Sequence, residues 1–194
     1  MSNGNTLVLG IGNILWADEG FGVRAVEEFH RRYATPDDVV IMDGGTQGLY
    51  LVQYVQEADK LLVFDAVDYG LEPGEMIVVT GDEVPKFTGA KKMSLHQTGF
   101  QEVLSAADFT GHYPKELALI GVQALDLENW GGSLTGLVKS KVDETLGLAV
   151  QQLRDWGIEV MERDAPLDRS EGLLVHDLDI GAYESGHPLL RLEA

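Results

Sequence analysis

Apolar runs of strand length alternate with amphipathic helical patterns along most of the chain. The first run, Leu7-Val8-Leu9, ends in Gly10-Ile11-Gly12-Asn13; Val23, Val26, Phe29 and Tyr33 then recur at helical spacing, with Arg24, Glu27, Glu28, Arg31 and Arg32 on the other faces. This pattern predicts a buried strand, a tight turn and a helix, the first half of a βαβ unit. Pro36-Asp37-Asp38 breaks the helix, and Val39-Val40-Ile41-Met42 predicts a second strand ending in Asp43-Gly44-Gly45-Thr46. Leu49, Val52 and Val55 predict a helix, and Leu61-Leu62-Val63-Phe64 a third strand ending in Asp65. After a turn-rich loop over 68–74, Met76-Ile77-Val78-Val79 predicts a fourth strand, which can run antiparallel because no helix precedes it.

Ser94-Leu95-His96-Gln97 leads into a helical pattern at Phe100, Val103, Leu104 and Ala107, and residues 116–122 predict a fifth strand. Leu134, Val138, Val142, Leu146, Val150 and Leu153 form one stripe of a long helix up to Trp156, with Gly157 as its C-cap and Ile158-Glu159-Val160 as an edge strand. From Asp164 onward the periodicity fades. The chain therefore divides into an α/β domain, residues 1–163, and an irregular C-terminal tail, residues 164–194. The predicted class is α/β: a single domain with a mostly parallel twisted sheet of about five strands and helices on both faces, joined by right-handed crossovers.

Composition narrows the chemistry. A chain of 194 residues buries roughly 70% of its unfolded surface in one core and needs no covalent staples. The absence of cysteine excludes disulfides, thiolate metal sites and cysteine nucleophiles, so any metal is held by oxygen and imidazole. Lys+Arg 14 against Asp+Glu 32 gives a net charge of -18, which disfavours nucleic acid and anionic membranes and favours a basic or cationic partner. A polar N-terminus without a basic-then-apolar signal, and apolar stretches no longer than strands, lead us to expect a soluble cytoplasmic protein.

In open α/β sheets, ligands sit beyond the carboxyl ends of the strands, where this chain places Asp18-Glu19, Asp43, Asp65 and, on its long loop, His96. The opening glycines invite comparison with a phosphate cradle. However, Leu15 occupies the place of the third glycine, Asp43 lies too far on to be the ribose acid, and two carboxylates beside the turn would repel an anion. The loop suits a cation. Three carboxylates and an imidazole on one rim would favour nickel, zinc, manganese or iron. Each residue also has a plainer reading: Glu19 as a solvated loop carboxylate or helix cap, Asp65 as a turn former, and Asp43 as an Asx-turn residue shaping the glycine bend. His96 competes with His30, His112, His176 and His187. Ser94 and His96 lack the strand-turn-helix elbow of a serine hydrolase, so no nucleophilic triad is expected.

Taken in order, Leu9-Gly10-Ile11-Gly12-Asn13-Ile14-Leu15, Asp18-Glu19-Gly20-Phe21-Gly22-Val23, Asp43-Gly44-Gly45-Thr46, Asp65-Ala66, Ser94-Leu95-His96-Gln97 and Gly121-Val122 resemble the maturation endopeptidases of nickel-iron hydrogenases. The resemblance runs from about Thr6 to Val160, and Trp16-Ala17-Asp18-Glu19, the 68–74 loop and Lys91-Lys92-Met93 look like the subgroup serving membrane-bound uptake hydrogenases. It implies removal of a C-terminal extension from the hydrogenase large-subunit precursor after nickel insertion. Glu19, Asp65 and His96 would contact a nickel supplied by the substrate, with no organic cofactor. Either that nickel activates the scissile carbonyl or water, or it only fixes the register while Asp43 acts as base. A non-catalytic, nickel-dependent checkpoint or chaperone for the same precursor is the alternative from another class, and a small-molecule hydrolase on the same architecture is a third. A monomer is expected.

Overall fold

The computed structural model describes residues 4–84, 95–175 and 178–186, and for residues 95–98 the backbone alone. In chain order the elements are β1 (Thr6–Ile11), α1 (Phe21–Arg32), β2 (Tyr33–Ala34), β3 (Val39–Gly45), α2 (Val52–Glu57), β4 (Lys60–Val67) and β5 (Met76–Thr80). They continue with α3 (Leu95–Phe109), β6 (Glu116–Gln123), α4 (Gly136–Lys139), α5 (Val142–Asp155), β7 (Met161–Glu162) and α6 (Ile180–Gly186). The main sheet has the order β3-β1-β4-β6-β5. β1 lies parallel to β3 and β4, and β4 parallel to β6. β5, which follows β4 without an intervening helix, closes the edge antiparallel to β6.

The central strands β1, β4 and β6 are buried on both faces, which is why they read as unbroken apolar runs. Val8, Leu62, Phe64, Ala118 and Ile120 face α1 and α5. Leu7, Leu9, Leu61, Val63 and Leu119 face the opposite way, against Leu51 and Val55 of the α2 region and Phe100, Val103 and Leu104 of α3. The first turn of α1 rests directly on the strands. A Cβ on Gly22 would come under 3.0 Å from the carbonyl oxygens of Phe64 and Ile11, and one on Gly10 would meet the Gly22 carbonyl. These glycines exist for close backbone packing between strand and helix.

Three expectations are corrected. The long helix over 134–156 is two helices, because the Thr135 side chain caps α4 by accepting from Val138 N and the chain turns at Ser140-Lys141 before α5 begins. Its apolar stripe continues across the break, which is why the periodicity hides it. The edge strand at 158–160 is displaced: Ile158 and Val160 are buried in the core, and the pairing falls on β7, which joins β2 in a separate two-stranded ribbon. Finally, Arg24 and Glu27, read as part of the polar surface of α1, are only 4% and 6% exposed.

What covers them is the segment after Asp164. It forms a 3-10 turn at Arg169–Glu171, capped by Asp168, and then α6, whose Tyr183 is buried and donates its hydroxyl to the Gly131 carbonyl at 3.0 Å. No helix among the described residues is long and apolar enough to cross a membrane.

The glycine contacts give a direct test. Gly22→Ala should cost about 2–3 kcal/mol through overpacking and lower Tm by roughly 5–10 °C. Gly147→Ala, at an exposed position of α5 with open space around it, should instead stabilise by about 0.5–1 kcal/mol. Thermal melts of the two variants distinguish close packing from helix propensity.

Candidate functional site

The loop after β1 is built to hold one geometry. Gly12, at φ +136°, donates to the Gly45 carbonyl at 3.0 Å, and a Cβ there would strike the Glu19 carbonyl. Asn13 N donates to Glu19 O at 3.1 Å and the Asn13 side chain accepts from Leu15 N at 3.0 Å, closing the loop on itself. Ala17 takes a left-handed conformation, φ +38°, rare for a residue with a Cβ.

Asp18 explains how that conformation is held. Its carboxylate is fully buried and accepts from Leu125 N (3.0 Å), Asp126 N (2.9 Å), Thr135 N (2.7 Å) and the Thr135 hydroxyl (3.1 Å). Leu15 O accepts from Gly131 N at 2.7 Å, and Trp16 bridges to Trp130. The loop carrying Glu19 is thereby fastened to the segment that follows β6.

Glu19, Asp43 and Asp65 lie toward the carboxyl ends of the strands, and His96 is known by its backbone position alone. Glu19 is half-buried in the 3-10 turn Ala17–Gly20, which packs on β4. Asp65, 1% exposed near the end of β4, points to the face that carries α2 and α3. Its charge, after burial, helps hold the Tyr69 phenol well above the usual range. His96 is the second residue of α3, and its side chain lies outside the described residues, as do Ser94, His176 and His187. One turn further on, a Cβ at Gly99 would touch the Gly48 Cα at 3.5 Å, so the start of α3 lies at the carboxyl end of β3.

Asp43 lies on the other face. The register pairs it with Gly10, and it shares strand parity with Val39 and Ile41, which pack against the α1 side. The register slips between Gly10, paired with Asp43, and Ile11, paired with Gly45, a bulge at the last step of the pairing beside the candidate site. The Asp43 carboxylate accepts from Gly45 N at 2.8 Å, so the Asx-turn reading is realised. Burial nevertheless pushes its pKa up, against the opposing effects of that bond and of the Arg24 charge. The carboxylate lines an open cavity of about 280 Å³ bounded by Gly12 and Gly45 and, from the far end of the chain, by Leu174 and Leu178.

Asp65 and the start of α3 thus share one face, Asp43 takes the other, and the Glu19 turn sits between them at the end of the sheet. Two strand spacings of about 4.8 Å separate the backbones of β3 and β4 across β1. Among the described residues no three acidic or imidazole groups stand close enough to hold a metal ion. The donor types of Glu19, Asp65 and His96 suit a borderline divalent ion. His30 is structural, its Nε2 facing the Glu171 carbonyl at 3.1 Å. The sequence reading missed the clamp at Asp18 and the burial of Arg24 and Glu27. Apolar residues in the tail, Leu173, Leu174 and Leu178, were the available sign that something packs on that helix face.

Comparison with known proteins agrees with this architecture. The family model described as hydrogenase maturation protease matches residues 23–152. The hydrogenase expression/formation protein HupD of Bradyrhizobium diazoefficiens is 68% identical over 92% of this chain and 93% of its own. The hydrogenase 2 maturation protease of Escherichia coli K12 is 44% identical over 82% of this chain and 96% of its own. The solved structure of the E. coli hydrogenase maturating endopeptidase HybD superposes with a TM-score of 0.78 at 41% identity, covering 82% of this chain and 98% of that one. The chain belongs to the hydrogenase maturation protease family.

The clamp is testable without substrate. Asp18→Ala strands three backbone donors and should cost roughly 3 kcal/mol or more, read as a lower urea midpoint at unchanged m-value.

Proposed function

We propose that this protease removes a C-terminal extension from the large-subunit precursor of a nickel-iron hydrogenase after nickel has been inserted. In this reading the nickel arrives as part of the substrate, and Glu19, Asp65 and His96 recognise it. The chain has no cysteine, so thiolate ligands would come from the precursor, and carboxylate and imidazole groups would add weaker contacts at the rim. The protein acts as a soluble cytoplasmic monomer without an organic cofactor.

The observation that carries the hydrolytic role is Asp43: a half-buried carboxylate at a bulge, lining an open cavity beside the loop of Glu19, with its pKa raised by burial. A base is most effective when its pKa approaches the working pH. Asp43 takes a proton from water as the water attacks the scissile carbonyl, then returns it to the departing amine, so the peptide bond breaks with no net change in the enzyme. Metal recognition on one face and proton transfer on the other would let nickel fix the register of the peptide without displacing the base.

Incubation of the purified chain with nickel-loaded precursor, followed by mass analysis, should show release of the extension. Asp43→Asn should keep precursor binding and lose cleavage by roughly 100-fold or more. His96→Ala should lose binding of the nickel-loaded form while the fold is retained. Binding and release of intact precursor by the wild type would instead favour the checkpoint reading, and full activity of Asp43→Asn would remove the base role. The wild-type rate should fall on acidification, because the base works only when ionised. The midpoint should lie above 3.8, the ordinary carboxylate value, since burial raises the Asp43 pKa.

A further inference from the structure

The cavity at Asp43 has walls of two origins. Ile14, Leu15 and Val23 come from the opening loop and α1, and Leu174 and Leu178 from the C-terminal segment. We propose that this cavity is the subsite for one aliphatic side chain of the substrate peptide, beside the bond to be cut, and that Leu174 and Leu178 decide which side chain it takes. The inference rests on the protease reading above and adds a specificity element to it.

The fastening of the C-terminal segment is the main support. Glu27 Oε2 accepts from Leu173 N at 2.7 Å and from Leu174 N at 3.2 Å, and the Arg24 guanidinium donates to the Leu178 carbonyl while lying 5.5 Å over the Tyr183 ring. Asp179 then caps α6 by accepting from Gly181 N (2.7 Å) and Ala182 N (3.1 Å), and it pairs with Arg169 at 3.1 Å. At the two wall positions the bonds go to main-chain atoms. The backbone is held whatever side chains stand at 174 and 178, which leaves those side chains available to shape the cavity.

The family model ends at residue 152, so both wall residues lie outside the part of the chain that it describes. Asp43 lies inside the matched region while part of its cavity wall comes from beyond it, which gives the site a means to choose among precursors. At about 280 Å³ the cavity is at the small end of ligand sites, which run from roughly 300 to 1,000 Å³, and it suits a side chain rather than a folded element. Its walls are mostly apolar, with Asn13, Thr46 and Asp43 as the polar residues, and the Asp43 charge would repel an acidic occupant.

The test uses the full chain and nickel-loaded precursor. Mass analysis of the released extension locates the cut, and each residue flanking it is changed in turn to Ala, Leu, Trp or Asp. At one flanking position the wild type should prefer Leu to Asp by at least about tenfold in kcat/KM. Leu174→Ala and Leu178→Ala widen the cavity and should shift that position's preference toward Trp by about tenfold, leaving the other positions unchanged. Leu178→Phe narrows it and should shift the preference toward Ala. A purely structural role would slow all precursors alike. Folded variants that keep the wild-type order at every position would overturn the proposal while leaving the protease reading intact. A wild type that binds the precursor but never cuts it would overturn both.

Discussion

A carboxylate with no exposure to solvent is costly, several kcal/mol before compensation, and Asp18 is held in that state by three backbone N–H groups and a hydroxyl. The donors come from residues 125, 126 and 135, so the bonds tie the loop after the first strand to the segment after the last strand of the parallel part of the sheet. The same junction serves twice more. Thr135, which binds Asp18, also caps α4, and Gly131, which donates to Leu15 O, accepts the Tyr183 hydroxyl from α6. Ala17 pays for its left-handed backbone with about 1 kcal/mol, and its neighbour Asp18 keeps it there. Glu19, the short helix α4 and the C-terminal segment therefore share one mechanical reference.

The glycine-rich opening acquires a different meaning from the phosphate cradle it resembles. Gly10 and Gly22 remove the side chains that would keep α1 off β1 and β4, and Gly12 lets the Glu19 carbonyl come within reach of the strand end. Close backbone contact replaces anion binding. The acidic residues that exclude a phosphate can then occupy the space, and with the loop packed this tightly their positions need little rearrangement when a substrate arrives.

Strand identity, the antiparallel setting of β5 and the two-faced burial were legible because a sheet covered on both sides leaves continuous apolar runs with period-two partners. The rim residues Glu19, Asp43, Asp65 and His96 were legible as candidates for a related reason: in such a sheet the residue after each run is at the carboxyl end. That Asp43 and Asp65 take opposite faces was also implicit in the parity of their strands, although the rim rule alone does not express it. The break between α4 and α5 was hidden because the stripe of Val138, Val142 and Leu146 stays in phase across it. The displaced edge pairing at β7 was hidden because two residues carry too little pattern. The partners of Asp18 were out of reach, since hydrogen bonds across more than a hundred residues leave no local periodicity.

The C-terminal segment shows why a weakly patterned stretch can still be firmly placed. Its hold is encoded largely on α1, where Arg24 satisfies a carbonyl of the segment and Glu27 two of its amides. Buried charges of opposite sign, one turn apart, each meet the polar end of a peptide group, so little of the contact needs a particular side chain in return. Arg24 does more than anchor. Its positive charge acts on Asp43, opposing the effect of burial on that carboxyl. The residue that seats the outer wall of the cavity is thus also one that helps set the ionisation of the acid inside it.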